Sequence, residues 1–256
     1  MDLHIKGKRA IVLGATRGIG RAIAEQLVEE GASVAICARN SAQVKQAVAD
    51  MESRGGKVIG ETIDIAKGDE LKSFVARAAQ SLGGLDIVIS NASALSEGNK
   101  PEDWRALLDI DLLGLVNLVE AAQPFLEEAA AKRGDASIIA ISSMSAAVAS
   151  RPEAYGAVKG ALIHLVKGYA RSLAAKKIRA NVISPGTIYF EDGFWGRIER
   201  ERPEAFKRTL ERNPLKRMGT PQEIAAAAVF LASPRSTFTT GANLRVDGAI
   251  TDDVNY

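Results

Sequence analysis

The chain has 256 residues, of which 46% are hydrophobic and 25% are charged, as in a soluble globular protein with a large core. Its 33 basic and 31 acidic residues leave a net charge of +2, which argues against binding nucleic acid through bulk charge. The single cysteine, Cys37, excludes a disulfide framework, and the lack of an apolar signal region or membrane-spanning run favours a cytoplasmic protein.

Hydrophobic patterns alternate along the chain between strand-like and helix-like segments. Short, β-branched, nearly continuous runs predict strands at residues 10–13, 33–36, 58–59, 85–89, 137–141, 178–183 and 244–246. Helical periodicity predicts helices over about residues 18–30, 41–54, 68–82, 102–131, 153–175 and 221–232. This alternation predicts an α/β fold, a doubly wound (Rossmann) and mostly parallel seven-stranded sheet with helices on both faces. No linker or repeat divides the chain, so we expect residues 1–256 to form one domain.

The first strand-to-helix turn is rich in glycine and reads Gly14-Ala15-Thr16-Arg17-Gly18-Ile19-Gly20. Glycines permit a tight turn and let backbone N–H groups approach a pyrophosphate at the helix N-terminus, where the dipole favours negative charge. The other interpretation is a turn that only packs the helix on the strand. Because the motif follows a predicted strand and opens a predicted helix, we expect it to bind a nucleotide.

The end of the second strand indicates which nucleotide. An acidic residue there would bind a ribose 2′-hydroxyl and repel a 2′-phosphate, and none occurs between Ser33 and Asn40. Arg39 at this point and Arg17 in the glycine turn instead offer two guanidinium groups to a phosphate. The alternative is two solvated surface arginines. We expect the cofactor to be NADP(H).

Tyr155 and Lys159 lie four residues apart in the predicted helix at 153–175, so both side chains point the same way. A free tyrosine ionises at about pH 10, too high for proton transfer near neutrality. A neighbouring cation favours the phenolate form, and Lys159 is placed to supply that charge. By itself, the spacing also fits an exposed helical pair.

Taken together, these motifs resemble the short-chain dehydrogenase/reductase family over nearly the whole chain, with 3-oxoacyl-acyl-carrier-protein reductases among the similar members. The glycine turn matches the family's cofactor loop, and Tyr155 with Lys159 matches its catalytic Tyr-x-x-x-Lys. Further matches follow in family order along the chain: Asp64, Asn91-Ala92-Ser93, Ser142-Ser143, Asn181, Pro185-Gly186, Arg217-Met218-Gly219-Thr220-Pro221 and Val246-Asp247-Gly248.

The resemblance implies hydride transfer between a nicotinamide cofactor and a carbonyl or alcohol. Tyr155 is then the general acid/base, Lys159 supports it and binds the nicotinamide ribose, and a serine hydroxyl binds the substrate oxygen. Ser143 has the better place at the strand end and is our choice, whereas Ser142 keeps the commoner spacing of 13 residues before Tyr155. The implied cofactor-binding residues are Gly14, Thr16, Arg17, Gly18, Ile19, Gly20, Arg39, Asp64, Ile65, Asn91, Ala92, Tyr155, Lys159, Pro185, Gly186 and Ile188. Neither His4 nor His164 stands in a ligand cluster, so we expect no metal.

Three positions depart from the family pattern: Asp111 replaces a catalytic asparagine, Ser93 a glycine, and Phe190 a threonine that touches the cofactor phosphates. Asp111 keeps the backbone carbonyl that holds a water near the lysine, but its carboxylate can also pair with Lys159 and weaken the effect on Tyr155. We therefore expect Asp111→Asn to move the pH–rate profile. Asp111 and Ser93 also favour the alternative function, a noncatalytic NADP-binding regulatory protein on the same fold.

Substrate specificity is expected in residues 187–215, the segment where the family has its variable lid. An aromatic pocket with a basic rim, suited to an acidic or carrier-bound substrate, is one interpretation. We favour a helical lid packed by its aromatic side chains, because glutamates nearly cancel the charge, and expect a fairly apolar ketone or alcohol. The aromatic and basic residues concerned are Tyr189, Phe190, Phe194, Trp195, Arg197, Arg200, Arg202, Lys207, Arg208 and Arg212. The resemblance also implies a homotetramer or homodimer formed through the helices at 102–131 and 153–175.

Overall fold

Seven strands form one parallel sheet in the computed structural model, which describes residues 2–149 and 152–254. The strands are β1 (Arg9–Leu13), β2 (Ser33–Ala38), β3 (Lys57–Thr62), β4 (Ile87–Ser90), β5 (Ala136–Ile141), β6 (Ile178–Pro185) and β7 (Asn243–Val246). Their spatial order is β3-β2-β1-β4-β5-β6-β7, and every pairing is parallel. The doubly wound sheet predicted from the sequence is therefore confirmed.

Nine α-helices of the described chain connect and flank these strands. They are α1 (Gly18–Glu29), α2 (Ser41–Glu52), α3 (Gly68–Leu82), α4 (Pro101–Leu107), α5 (Leu113–Arg133), α6 (Ala154–Leu173), α7 (Phe194–Glu201), α8 (Pro203–Arg212) and α9 (Pro221–Ala232). The segment predicted as one helix over 102–131 is helical throughout, but it contains a π-helical turn, Leu108–Leu112, between α4 and α5. Hydrophobic periodicity does not reveal such a turn, which inserts one extra residue and is frequent at functional sites.

The apolar side chains of the strands pack into two layers, one on each face of the sheet. Alternation places Ile11 and Leu13 of β1 in the layer with α3, α5 and α6, and Val12 in the layer with α1 and α9. All residues of β4 and β5 are buried, as expected for central strands covered by helices on both sides. No described helix is both long and apolar enough to cross a membrane.

The topology fixes where a ligand can bind. Because all strands are parallel, the loops that follow them meet at one edge of the sheet. The strand order changes direction between β1 and β4, whose register pairs Val12 with Ile89. Loops on either side of such a point diverge and leave a crevice. The glycine turn after β1 and the segment after β4 that begins at Asn91 border this crevice.

Candidate active site

A cavity of about 720 Å³ opens at the carboxyl ends of the strands. Of the predicted site residues, those that line it are Gly14, Thr16, Arg17, Ile19, Arg39, Asp64, Ile65, Asn91, Ala92, Ser143, Tyr155, Lys159, Pro185, Gly186 and Ile188. Gly18, Gly20 and Asp111, which were also predicted, do not line it. The fold thus brings the glycine turn, the strand-end serine and the tyrosine–lysine pair into one space.

The glycine turn forms a cradle that has no room for larger side chains. Gly14 adopts a φ of +68°, in the left-handed region, and a Cβ there would lie 3.0 Å from the Cα of Ala92. A Cβ at Gly20 would collide with the Asn91 side-chain amide and the Gly14 carbonyl. α1 begins at Gly18, and the side chain of Arg17 does not cap its first N–H groups. Those groups can bind an anion, so the cradle fits the pyrophosphate of a dinucleotide.

The cavity extends from the glycine turn to the end of β2. Arg17 and Arg39 both line it and are exposed, so their guanidinium groups are accessible to a bound anion. At the start of α2, the Asn40 side chain accepts a hydrogen bond from the Gln43 N–H (3.0 Å). Within the described chain, no acidic side chain lines the cavity at this point, where a carboxylate would bind a ribose 2′-hydroxyl. Asp64, beyond the end of β3, is the one acidic residue lining this end among the described residues. The charge pattern favours a phosphate on the adenosine ribose.

The two candidate serines after β5 have different environments. The Ser142 hydroxyl is buried and donates a hydrogen bond to the Lys159 backbone carbonyl (2.8 Å). The Ser143 oxygen accepts the Ser145 N–H (3.1 Å), which orients the hydroxyl and leaves its own proton available to a ligand. These contacts favour Ser143 for the substrate oxygen and give Ser142 a role in joining β5 to α6.

Tyr155 and Lys159 lie on one face of α6 near its N-terminal end. The Lys159 Nζ is 5.6 Å from the centroid of the Tyr155 ring. It donates a hydrogen bond to the Ile141 carbonyl (3.0 Å) and lies 2.9 Å from Oδ2 of Asp111. An ammonium has three N–H donors, so one remains for a ligand at the cavity.

Asp111 faces Lys159 from the π-helical turn. Only 1% of it is exposed, and its other carboxylate oxygen accepts the Ala94 N–H (2.9 Å) in the loop after β4. Burial lowers the pKa of Lys159, whereas the facing Asp111 carboxylate and Tyr155 raise it, and the net result is a pKa above its ordinary value of 10.5. The π-helical turn that carries Asp111 thus supplies a buried negative charge where the sequence comparison with the family expects a neutral amide.

Phe190 and Ser93 alter the walls of the cavity. The Phe190 ring packs against Gly18 and Gly193, where any Cβ would overlap it, and Arg17 donates a hydrogen bond to the Asp192 carbonyl (3.0 Å). The start of the lid therefore rests directly on the glycine turn. The Ser93 oxygen accepts the Leu95 N–H (3.1 Å), and Leu95 adopts a φ of +51°. The serine thus shapes the loop after β4.

The segment 187–215 contains α7 and α8 and places its side chains unevenly. Phe190, Phe194 and Trp195 line the cavity, whereas Tyr189 packs on Phe206 (ring centroids 5.9 Å apart) and donates a hydrogen bond to Glu199. None of the basic residues predicted as a possible rim lines the cavity. Of these, Arg197 pairs with Glu97, and Arg200 donates a hydrogen bond to the Glu191 carbonyl.

Sequence reasoning did not identify Thr187, Glu97 or Glu153, all of which line the cavity. Thr187 follows directly after Pro185-Gly186, and its place beside two predicted cofactor-binding residues is the sequence signal for it. Glu97 lies in a loop that has no hydrophobic periodicity, and it contacts Arg197 of α7 only through the tertiary fold. The sequence alone therefore gives no signal for Glu97. Across the described ranges, no group of three or more His, Cys, Asp or Glu side chains is placed to hold a metal ion.

A family model described as Enoyl-(Acyl carrier protein) reductase matches residues 14–251. The isoepoxydon dehydrogenase patN of Penicillium expansum is 37% identical over 253 residues, covering 96% of this chain and 95% of that protein. The 3-oxoacyl-[acyl-carrier-protein] reductase FabG of Thermotoga maritima is 30% identical over 254 residues, covering 97% of this chain and 99% of that protein.

Solved structures show the same similarity. L-Sorbose reductase from Gluconobacter frateurii, complexed with NADPH and L-sorbose, superposes with a TM-score of 0.88 at 29% identity, covering 99% of this chain and 100% of that one. A short chain dehydrogenase from Burkholderia cenocepacia J2315 in complex with NADP gives a TM-score of 0.85 at 28% identity, covering 96% of this chain and 98% of that one.

Proposed function

The chain belongs to the short-chain dehydrogenase/reductase family of oxidoreductases, and we propose that it is an NADP(H)-dependent enzyme that interconverts a carbonyl compound and an alcohol. One observation carries this proposal: a single cavity is lined by the glycine cradle, by Arg17 and Arg39, and by Ser143, Tyr155 and Lys159. Cofactor-binding and proton-transferring groups therefore face the same space.

The described residues fit an NADP(H) molecule. The cradle at Gly14 and the N-terminus of α1 would hold the pyrophosphate, and Arg17 with Arg39 would hold the 2′-phosphate. Asp64 and Ile65 would lie at the adenine, and Asn91 and Ile188 at the nicotinamide half. The complexes of the Burkholderia and Gluconobacter proteins with NADP and NADPH support this choice. When bound, the nicotinamide supplies or accepts the hydride.

The protein's own groups handle the proton and the substrate oxygen. In reduction, the Tyr155 hydroxyl gives its proton to the oxygen of the forming alcohol, and in oxidation the phenolate takes it back. The Lys159 ammonium stabilises the phenolate, and its free N–H binds a ribose hydroxyl of the cofactor. The oriented Ser143 hydroxyl donates a hydrogen bond to the substrate oxygen, where negative charge develops.

A noncatalytic NADP-binding regulator is the second candidate, and the Asp111–Lys159 ion pair favours it. The buried carboxylate offsets the lysine charge that would otherwise act on Tyr155. The two functions differ in one measurement, which is oxidation of NADPH in the presence of a panel of ketones and aldehydes. We expect the wild-type protein to consume NADPH with at least one of them, faster than NADH. NADPH binding without turnover on any member of the panel would support the regulator and refute the enzyme.

We also propose that the protein is a homo-oligomer, a tetramer or a dimer. Leu108 and Leu113, at the π-helical turn and the start of α5, are exposed by 37% and 47%, and burying such side chains favours association. Light scattering on the purified protein tests this directly, since a monomer at micromolar concentration would contradict it.

A further inference from the structure

The catalytic end of the cavity, beyond Tyr155, has a polar lining as well as an apolar one. Phe194 and Trp195 of the lid and Leu95 and Met144 of the loops after β4 and β5 supply apolar surface. Between them lie the serines at 93, 143 and 145 and the carboxylates at 97 and 153. A purely apolar substrate would displace water from this polar lining and form no hydrogen bond with it, which is unfavourable.

Charge excludes one class of substrate from this end. Among the described residues of the lining, the cations are Arg17, Arg39 and Lys159. The two arginines belong to the adenosine end, and the charge of Lys159 is matched by Asp111. Glu97 also lines this end, and it is paired with Arg197, which lies outside the lining. A carboxylate or phosphate on the substrate would therefore lose its hydration here without meeting an unmatched cation of this lining.

Thr187 presents a buried hydroxyl that has no partner within the described chain. The residue is 6% exposed, and its Oγ1 makes no hydrogen bond. The β5–β6 register pairs Ile141 with Ile183, so its continuation places Ser143 beside Pro185, two residues before Thr187. At about 3.3 Å per residue, Thr187 follows that point by about 7 Å of chain. Buried hydroxyls are nearly always paired, so a polar ligand atom is expected at Thr187.

We propose, resting on the oxidoreductase function above, that the substrate is an uncharged ketone or alcohol with a further hydroxyl near the reacting carbon, and that Thr187 binds this hydroxyl. Phe194 and Trp195 pack on its carbon skeleton, and Ser143 binds the reacting oxygen. This substrate class replaces the fairly apolar one expected from the lid aromatics. A site built around a substrate hydroxyl discriminates strongly against the analogue that lacks it, because its own polar group is then left unpaired.

The test compares substrates of equal size. With NADPH, kcat/KM is measured for 2-hydroxycyclohexanone, for 2-methylcyclohexanone, and for 3-oxocyclohexanecarboxylate against its methyl ester. We expect the wild-type protein to prefer the hydroxy ketone over the methyl ketone by about tenfold, the ratio that one neutral hydrogen bond supplies. We expect it to prefer the ester over the carboxylate by at least as much. Equal values within either pair overturn the substrate class and leave the oxidoreductase function standing.

Two variants with matched controls assign the residues. Thr187→Val, which keeps the shape of the side chain, is expected to reduce the hydroxy/methyl preference to below about threefold, while Thr187→Ser restores it. An equal loss on both ketones, together with weaker NADPH binding, would give the hydroxyl to the cofactor and overturn this assignment. Glu97→Gln should raise kcat/KM for the carboxylate, whereas Glu102→Gln, exposed on α4 and outside the lining, should not. If the wild-type protein reduces no carbonyl compound at all, the proposed function and this inference fall together.

Discussion

Replacing Asp111 by asparagine should change how the stability of the protein depends on pH. In the wild type, the carboxylate raises the pKa of Lys159 in the folded state above the ordinary 10.5. The ion pair therefore contributes its full stabilisation from neutral pH up to about 10.5 and loses it as pH rises through the folded-state pKa of Lys159. Between pH 7 and pH 9, the wild-type pair therefore adds nothing to the pH dependence of the unfolding free energy.

In Asp111→Asn, burial is left as the main influence on Lys159 and lowers its folded-state pKa. The stability of the variant then increases as pH rises through that pKa, whereas the stability of the wild type decreases as pH rises through its own. Removing one partner of a buried pair costs about 3–5 kcal/mol. The cost of removing the proton from Lys159 at pH 7 sets an upper limit on the stability that the variant loses. This cost is about 5 kcal/mol, because pH 7 lies 3.5 units below the ordinary lysine pKa of 10.5. Once Lys159 is neutral in the folded state, stability rises by about 1.4 kcal/mol per pH unit.

Urea denaturation at pH 7 and pH 9 measures this effect. The stability deficit of Asp111→Asn relative to wild type should shrink between the two values, by at most about 2.7 kcal/mol. Asp109→Asn, in the same π-helical turn but exposed, is the control and should show no such change. The pH–rate profile should move as well, because the charge of Lys159 acts on Tyr155. A deficit that is identical at both pH values would refute the coupling of Asp111 to Lys159.

Other substitutions test the remaining contacts. Arg39→Asp should weaken NADPH binding at least tenfold and NADH binding little, since a charge-assisted bond worth about 1.5–3 kcal/mol becomes a repulsion; equal losses in a fluorescence titration would remove the 2′-phosphate assignment. Ser143→Ala should lower kcat/KM about 100-fold. Ser142→Ala should instead cost about 1–3 kcal/mol of stability with a smaller effect on rate, and the reverse pattern would exchange their roles. Burial raises the pKa of Cys37 to about 12, so a thiol reagent should modify it only at the rate of unfolding; rapid labelling of the native protein would contradict the buried position.

The sheet could be predicted because its central strands leave a clear signal. The β-branched runs at 137–141 and 178–183 are buried on both faces, and no polar alternation blurs them. The π-helical turn at Leu108–Leu112 could not be found this way, because the apolar spacing on either side of it still satisfies a helix. Its buried Asp111 depends on contacts with α6 and with the loop after β4, both distant in sequence.

For the site, local motifs were sufficient where backbone geometry dictates the residue. Gly14 and Gly20 stand where a side chain would collide with Ala92 or Asn91, so their spacing is visible in the sequence. Roles that depend on which way a side chain points needed the fold. The strand-end position favoured Ser143 and the commoner spacing to Tyr155 favoured Ser142, and the hydrogen bond from Ser142 to Lys159 supports Ser143. Tyr189 and Trp195 looked equivalent in the lid, yet only Trp195 lines the cavity.

The central claim is that Tyr155 donates the proton in a hydride-transfer site that binds NADPH, and a comparison of Tyr155→Phe with wild type tests it most directly. NADPH affinity is measured by fluorescence titration, and the single-turnover loss of nicotinamide absorbance is followed with a ketone that the wild-type protein reduces. The proposed site predicts that the variant binds NADPH within about twofold of wild type and turns over at least about 100-fold more slowly, the scale of general acid catalysis. A variant that binds NADPH and reduces the ketone at nearly the wild-type rate would contradict the role of Tyr155.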